Sequence, residues 1–329
     1  MRRIRYRGHI SLSDDFSIPI TWLSSHALVS GTYRIGGKEF LRRLAREISE
    51  RYPEIGILYV SQLTKGLEKY YPWDEYYDKS NLKLTLPYFH GSNQDRANVK
   101  EWIAAVVRPL GFSRSFEEQF VEYVQGIELP KSLSELFEGF RKIIFESKSI
   151  SPEDYYLLPH HSAVTKKYRA RYSLSPDTAK VEWVEQLASG KNVFLDLVDF
   201  WNKSFQFSLI LQNLRARIAP DKFFKPQIFI FVEQGAYQLF SRSSVNGIEP
   251  VWYNRYMQNV LESFRQRGIS LVVEDDQPDE LVKSVFELAG LKIFFRLWYP
   301  QTKNLLLGEF DLELIKNLPN REAVIYTSQ

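Results

Sequence analysis

The sequence predicts an α/β fold in which a mostly parallel sheet is flanked by helices, and three observations lead there. Apolar segments rich in β-branched and aromatic residues alternate with segments of helical period. A glycine-rich turn joins the first of these strands to the first long helix. The most apolar segment, Ile228-Phe229-Ile230-Phe231-Val232, has no polar side and reads as a central strand buried on both faces.

The first core strand is expected at Ala27-Leu28-Val29-Ser30. The helix after it runs from about Lys38 to Arg51, with Phe40, Leu41, Leu44 and Ile48 on one face. Pro53 and Gly56 mark its end, and Ile57 to Val60 is the second strand. From about Tyr70 to Thr178 the pattern changes to polar and aromatic loops, with helices near Asp95 to Arg108, Ser115 to Val124 and Ser132 to Phe145. The strand pattern then resumes at Val193 to Leu197, followed by a helix from Trp201 to Ile218 and the central strand. A helix from Val251 to Arg267 stops at Gly268 before the strand Ile269 to Val273. A helix from Pro278 to Leu288, a strand from Lys292 to Leu297 and a short strand at Ala323 to Ile325 complete the chain. The expected organisation is one core split into 1–69 and 179–329, with 70–178 as a helical insertion.

Composition narrows the chemistry. With 329 residues, 44% of them hydrophobic, the chain buries a full-sized core without a staple. The absence of cysteine excludes disulfides, thiolate zinc sites and a cysteine nucleophile. His160-His161, expected in a loop beside Pro159, has no spaced third ligand, so no metal is expected there. The basic start with Arg2, Arg3, Arg5 and Arg7 precedes no apolar run of signal-peptide length, and no segment approaches a membrane span. A soluble cytoplasmic protein is the expectation. The 43 basic and 40 acidic residues leave a charge of +3, so any attraction to nucleic acid must be local.

In open parallel sheets, ligands sit beyond the carboxyl ends of the strands. Gly31 to Lys38 occupies such a place, where backbone N–H groups and a helix N-terminus can hold phosphate. A phosphate loop needs Gly, four residues, Gly-Lys and then Ser or Thr for magnesium. Counting back from Gly37-Lys38 puts Thr32 where the first glycine belongs, with Gly31 one residue early. Gly36 precedes the pair, and Glu39 stands where the magnesium hydroxyl belongs and would repel phosphate. Taken alone, the loop reads as a glycine-rich βα turn.

Other groups carry two readings each. Lys166, Lys167, Tyr168, Arg169 and Arg171 interleave cations with a ring, as a nucleic-acid contact would, or form a solvated hinge. Glu274-Asp275-Asp276 with Asp279-Glu280 can bind Mg²⁺ or cap a helix at Pro278. Asp196 and Asp199 can face the site or cap the helix at Trp201.

The order of these segments resembles the HerA/FtsK family of hexameric DNA-translocating ATPases, including conjugation ATPases. The resemblance is carried by the Gly36-Gly37-Lys38 loop, the helix Phe40 to Ile48, the strands 190–197 and 228–234, Arg265-Gln266-Arg267-Gly268, Gln277-Pro278 and Ala289 to Leu297. It implies a RecA-like P-loop fold. It makes Lys38 the phosphate lysine and places the magnesium-linked acid and the water-activating base on Glu233 and Gln234. Gln277 matches the polar sensor, and Arg265 or Arg267 an arginine reaching a neighbouring subunit's phosphates. The barrel domain of HerA proteins is expected to be missing. ATP and Mg²⁺ are cofactors only if the site functions, since Gln234 cannot take a proton and Glu39 replaces the hydroxyl. The expectation is an impaired ATPase-like subunit of a DNA-handling assembly, partnered by a competent ATPase or a nuclease. The alternatives are an active translocase completed by a neighbouring subunit, and a protein-interaction module that binds neither nucleotide nor DNA.

Overall fold

A period of two in the strands builds the molecule. The computed structural model describes residues 9–13, 16–32, 36–62, 73–85, 96–125, 133–146, 151–168, 172–173, 181–200, 202–221, 225–235, 250–278, 281, 283–297 and 311–327. A hairpin of β1 (His9–Ser13) and β2 (Phe16–Pro19) leads through a short helix α1 (Ile20–Leu23) into β3 (Ala27–Ser30). Helix α2 (Gly37–Arg51), β4 (Gly56–Ser61) and β5 (Glu75–Tyr77) follow. Next come β6 (Leu84–Thr85), the helices α3 (Arg96–Val106), α4 (Arg114–Gln125), α5 (Leu133–Glu146) and α6 (Pro152–Tyr168), and β7 (Tyr172–Ser173). The remainder is α7 (Glu182–Ala188), β8 (Asn192–Asp196), α8 (Lys203–Arg217), β9 (Ile228–Glu233), α9 (Pro250–Gln266) and β10 (Ile269–Asp275). The chain ends with α10 (Lys283–Leu288), β11 (Leu291–Phe295), α11 (Leu312–Asn317) and β12 (Ala323–Thr327).

The main sheet has eight strands in the order β12-β11-β3-β10-β9-β4-β8-β5. Only β12 runs antiparallel to its neighbour. The helix-covered parallel sheet expected from the alternating pattern is thus the one formed, and β9 is fully buried at its centre.

Alternate residues of each strand face opposite layers. Ala27, Val29, Ile57, Tyr59, Phe194, Phe229, Phe231, Val272, Ile293 and Phe295 pack with Leu41, Leu44, Ala45 and Ile48 of α2. Leu28, Leu58, Val60, Leu195, Ile230, Val232, Leu271 and Val273 face a larger cluster that includes α3, α4, α5, α8 and α9. On the α2 side, rings opposed in register form a ladder. Phe231 stacks on Tyr59 at 6.2 Å, Tyr59 on Phe194 at 5.9 Å, and Phe194 on Tyr76 at 5.6 Å.

The stretch 70–178 adds more than helices, because its β5 pairs with β8 as an edge strand of the main sheet. His160 and His161 lie within α6, which continues through Pro159, and not in a loop. Helix α8 is capped by Asn202, whose side chain accepts from the Phe205 N–H at 2.9 Å, so neither Asp196 nor Asp199 caps it. Among the described residues the helix expected from Pro278 begins only at Lys283, and Glu274 and Asp275 belong to β10. His26, at φ 64° before β3, is buried and joins two layers. Its Nδ1 accepts from the Leu271 N–H at 3.0 Å, which places the proton on Nε2, 3.0 Å from the Leu261 carbonyl.

Candidate phosphate site

The carboxyl ends of β3, β9 and β10 meet beside the first turn of α2. Gly31 follows β3, and a Cβ there would stand 2.7 Å from the Phe295 Cβ. Gly36 has φ 129°, a conformation that an L side chain rarely adopts. The ring of Phe295 also packs edge-on against Phe40, 5.7 Å between centroids. Close packing under the loop therefore requires both glycines. The Thr32 N–H donates to the Arg296 carbonyl at 2.9 Å, and its buried hydroxyl has no hydrogen-bond partner among the described residues. Residues 33–35 of the loop lie outside the described residues.

Helix α2 puts Lys38 and Arg42 four residues apart, on one face. Arg42 Nε donates to Glu233 Oε1 at 2.7 Å, and Tyr59 Oη donates to the same oxygen at 2.5 Å. Burial drives the Arg42 pKa down, but the hydrogen bond and charge of Glu233 outweigh it and hold the pKa above the ordinary value. Burial and the Glu233 charge push the Tyr59 hydroxyl well up, so it remains a donor.

Glu274 was expected to bind Mg²⁺ with its acidic neighbours or to cap a helix; it does something else. The parallel register sets it directly opposite Glu233 on the neighbouring strand, and period two points both toward α2. Two carboxylates about 5 Å apart repel one another. The clash is relieved on each side: Arg42 and Tyr59 hold Glu233, and burial raises the Glu274 pKa to about 8. The Gln234 N–H donates to Glu274 Oε2 at 3.2 Å, and Lys38 lies within electrostatic reach. The other oxygen, Oε1, would be 3.3 Å from a Cβ added to Gly37, so the carboxyl sits against the opening turn of α2.

Gln234, placed at the base position by the resemblance, has φ 57°. Its carbonyl accepts from Gln62 Nε2 at 3.1 Å, and the Gln62 carbonyl accepts from Lys203 Nζ at 2.7 Å. Gln277 follows β10, its N–H donating to Asp275 Oδ1 at 2.7 Å. Glu39 is exposed on the first turn of α2, where its charge favours the helix. Asp196 accepts from Tyr76 Oη at 2.9 Å, and Asp199 pairs with Lys79 at 3.0 Å.

The structure therefore brings Gly36, Gly37, Lys38, Glu233, Gln234 and Glu274 together. It separates Arg265 and Arg267, which precede β10 at the opposite edge of the sheet. Arg265 is exposed there, and Arg267 donates to the Arg215 carbonyl at 3.0 Å and to Ser263 Oγ at 2.6 Å. Lys166, Lys167 and Tyr168 end α6 without described side chains, and Arg169, Arg171 and the basic start lie outside the described residues. No group of three or more His, Asp or Glu able to hold a metal occurs among the described residues.

These residues do not fit a magnesium–nucleotide complex. A carboxylate replaces the hydroxyl ligand at 39, Glu233 is engaged by Arg42 and Tyr59, and Glu274 stands against Gly37. Sequence reading misses Arg42 and Tyr59, and it gives Glu274 a different role. Arg42 was detectable one turn beyond Lys38; the opposition of Glu233 and Glu274 needed the strand order.

No family model matches the chain, and no curated protein does. Solved structures do. The bacterial conjugative coupling protein TrwB is 12% identical, with a TM-score of 0.61 over 99% of this chain and 87% of that one. VirB4 of Thermoanaerobacter pseudethanolicus is also 12% identical, with a TM-score of 0.61 over 99% of this chain and 97% of that one. TrwB has also been solved in complex with ADP and Mg²⁺, and that form matches at 12% identity and a TM-score of 0.61. The fold is thus the one solved for TrwB and VirB4.

Proposed function

We propose that this chain is an ATPase-like subunit, impaired in hydrolysis, that serves a DNA-handling assembly as a structural or regulatory member. The observation that carries the first half is the state of Glu233: its carboxylate is held by Arg42 and Tyr59 at 2.7 and 2.5 Å. A metal at this acid would have to displace a charge-assisted hydrogen bond and leave Arg42 beside a second cation. Gln234 then offers no proton acceptor at the base position. Support for the second half comes from the fold shared with a conjugative coupling protein and from the HerA/FtsK resemblance. A subunit of this kind acts through its surfaces, with a competent ATPase or a nuclease as partner.

Calorimetric titration with ATP and Mg²⁺ tests the reading. The expected result is no magnesium-dependent affinity tighter than roughly millimolar. Turnover at about one per second or faster, abolished by Lys38→Ala, would refute it. DNA binding followed across salt concentration tests the assembly role: a steep slope supports direct contact with DNA, and a flat one restricts the chain to protein partners.

A further inference from the structure

We propose that the chain blocks its own nucleotide and metal places: the Glu274 carboxyl fills the space against the first turn of α2, and the Arg42 guanidinium takes the cation's place on Glu233. The inference rests on the impaired-site reading and adds what occupies that space.

The opening turn of a helix presents N–H groups that no helical carbonyl satisfies, and the helix dipole favours an anion there. In this chain the Glu274 carboxyl stands against that turn instead, and since burial raises its pKa to about 8 it occupies the space near neutral pH as an uncharged acid. Glu274 is 2% exposed, its Oε2 accepts from the Gln234 N–H, and its Oε1 lies over the bare Cα of Gly37. Lys38 contributes a positive charge to the same group. One strand away, Arg42 and Tyr59 both donate to Oε1 of Glu233 from the α2 side. The two carboxyls opposed in register thus each have a fixed internal partner. A phosphate entering that space must expel a side chain that is buried and wedged between β9 and α2. The Arg42–Glu233 bond also ties α2 to β9 without a ligand.

Pyrophosphate is the probe, and calorimetry the measurement, on the full chain. Glu39→Thr removes the repelling carboxylate and serves as the background. In that background, Glu274→Ala is expected to tighten pyrophosphate binding by at least about tenfold. Glu274→Gln, which keeps the shape and the acceptor for Gln234, is expected to give no gain. Equal affinity of E39T and E39T/E274A, with unchanged circular dichroism, overturns the proposal. So does an equal gain from E274A and E274Q, since charge alone would then be the barrier. Should E39T/E274A lose its fold, Glu274→Ser in the same background provides the same readout. Wild-type ATP turnover is assayed separately: activity there defeats the impaired-site reading, whereas an inert wild type with no gain in E39T/E274A defeats only this inference.

Discussion

His26 shows how one side chain fixes the entry to the site. Burial holds its pKa at about 4, and the neutral ring bridges β10 and α9 just before β3 begins. Because the folded pKa is depressed below the ordinary 6.5, the unfolded chain binds the proton first as pH falls. The contribution of His26 is complete above about pH 6.5 and declines toward pH 4, by about 3 kcal/mol in total. His26→Asn tolerates the left-handed backbone but loses the bridge; denaturant titrations at several pH values should show a flatter acid limb and a lower plateau. Glu274 has the opposite sign. Its folded pKa of about 8 lies above the ordinary 4.5, so stability is greatest below pH 4.5 and declines as pH rises toward 8. Glu274→Gln should remove that decline and leave the protein more stable than wild type at pH 8 by about 4 kcal/mol.

The link between α2 and β9 is a contact between elements, and a double-mutant cycle measures it. Arg42→Ala removes the charge partner of buried Glu233 and should cost about 2 kcal/mol, a figure reduced for the partial exposure of the guanidinium. Adding Glu233→Gln should recover much of the loss, and an additive cycle would contradict the coupling. In the aromatic ladder, Phe231→Ala should cost about 3–5 kcal/mol by thermal or chemical unfolding, since its ring is fully buried against Tyr59. Much of this level was legible from sequence. Continuous apolar runs identified β3, β4, β8, β9, β10 and β11 because a strand buried on both faces is mostly apolar, its charged residues here gathering at the carboxyl ends of β9 and β10. Helix α6 was hidden by Pro159, which usually breaks a helix, and β5 by having only three residues. That Lys38, Glu233 and Gln234 gather at the carboxyl end of the sheet followed from motif order. The juxtaposition of Glu233 with Glu274 did not, because it depends on which strands become neighbours and in what register.

For the whole molecule, the eight-stranded sheet makes one body of residues far apart in the chain. No helix among the described residues is long and apolar enough to cross a membrane. With its site self-filled, the wild-type protein should show no rise in melting temperature with ATP or ADP and Mg²⁺, because a ligand stabilises only a fold that binds it. A nucleotide-dependent upward shift in differential scanning fluorimetry would count against that expectation.

The position of β3 in this sheet also sets a schedule for biosynthesis. Both of its neighbours, β10 and β11, belong to the final part of the chain. As the polypeptide leaves the ribosome, the strand before Gly31 is among the first core segments to emerge, yet it must wait for Ile269 to Phe295 before it has an edge to join. Nascent chains arrested before Ile269 should therefore leave Ala27 to Ser30 open to protease, and protection should arrive only once β10 and β11 have been made.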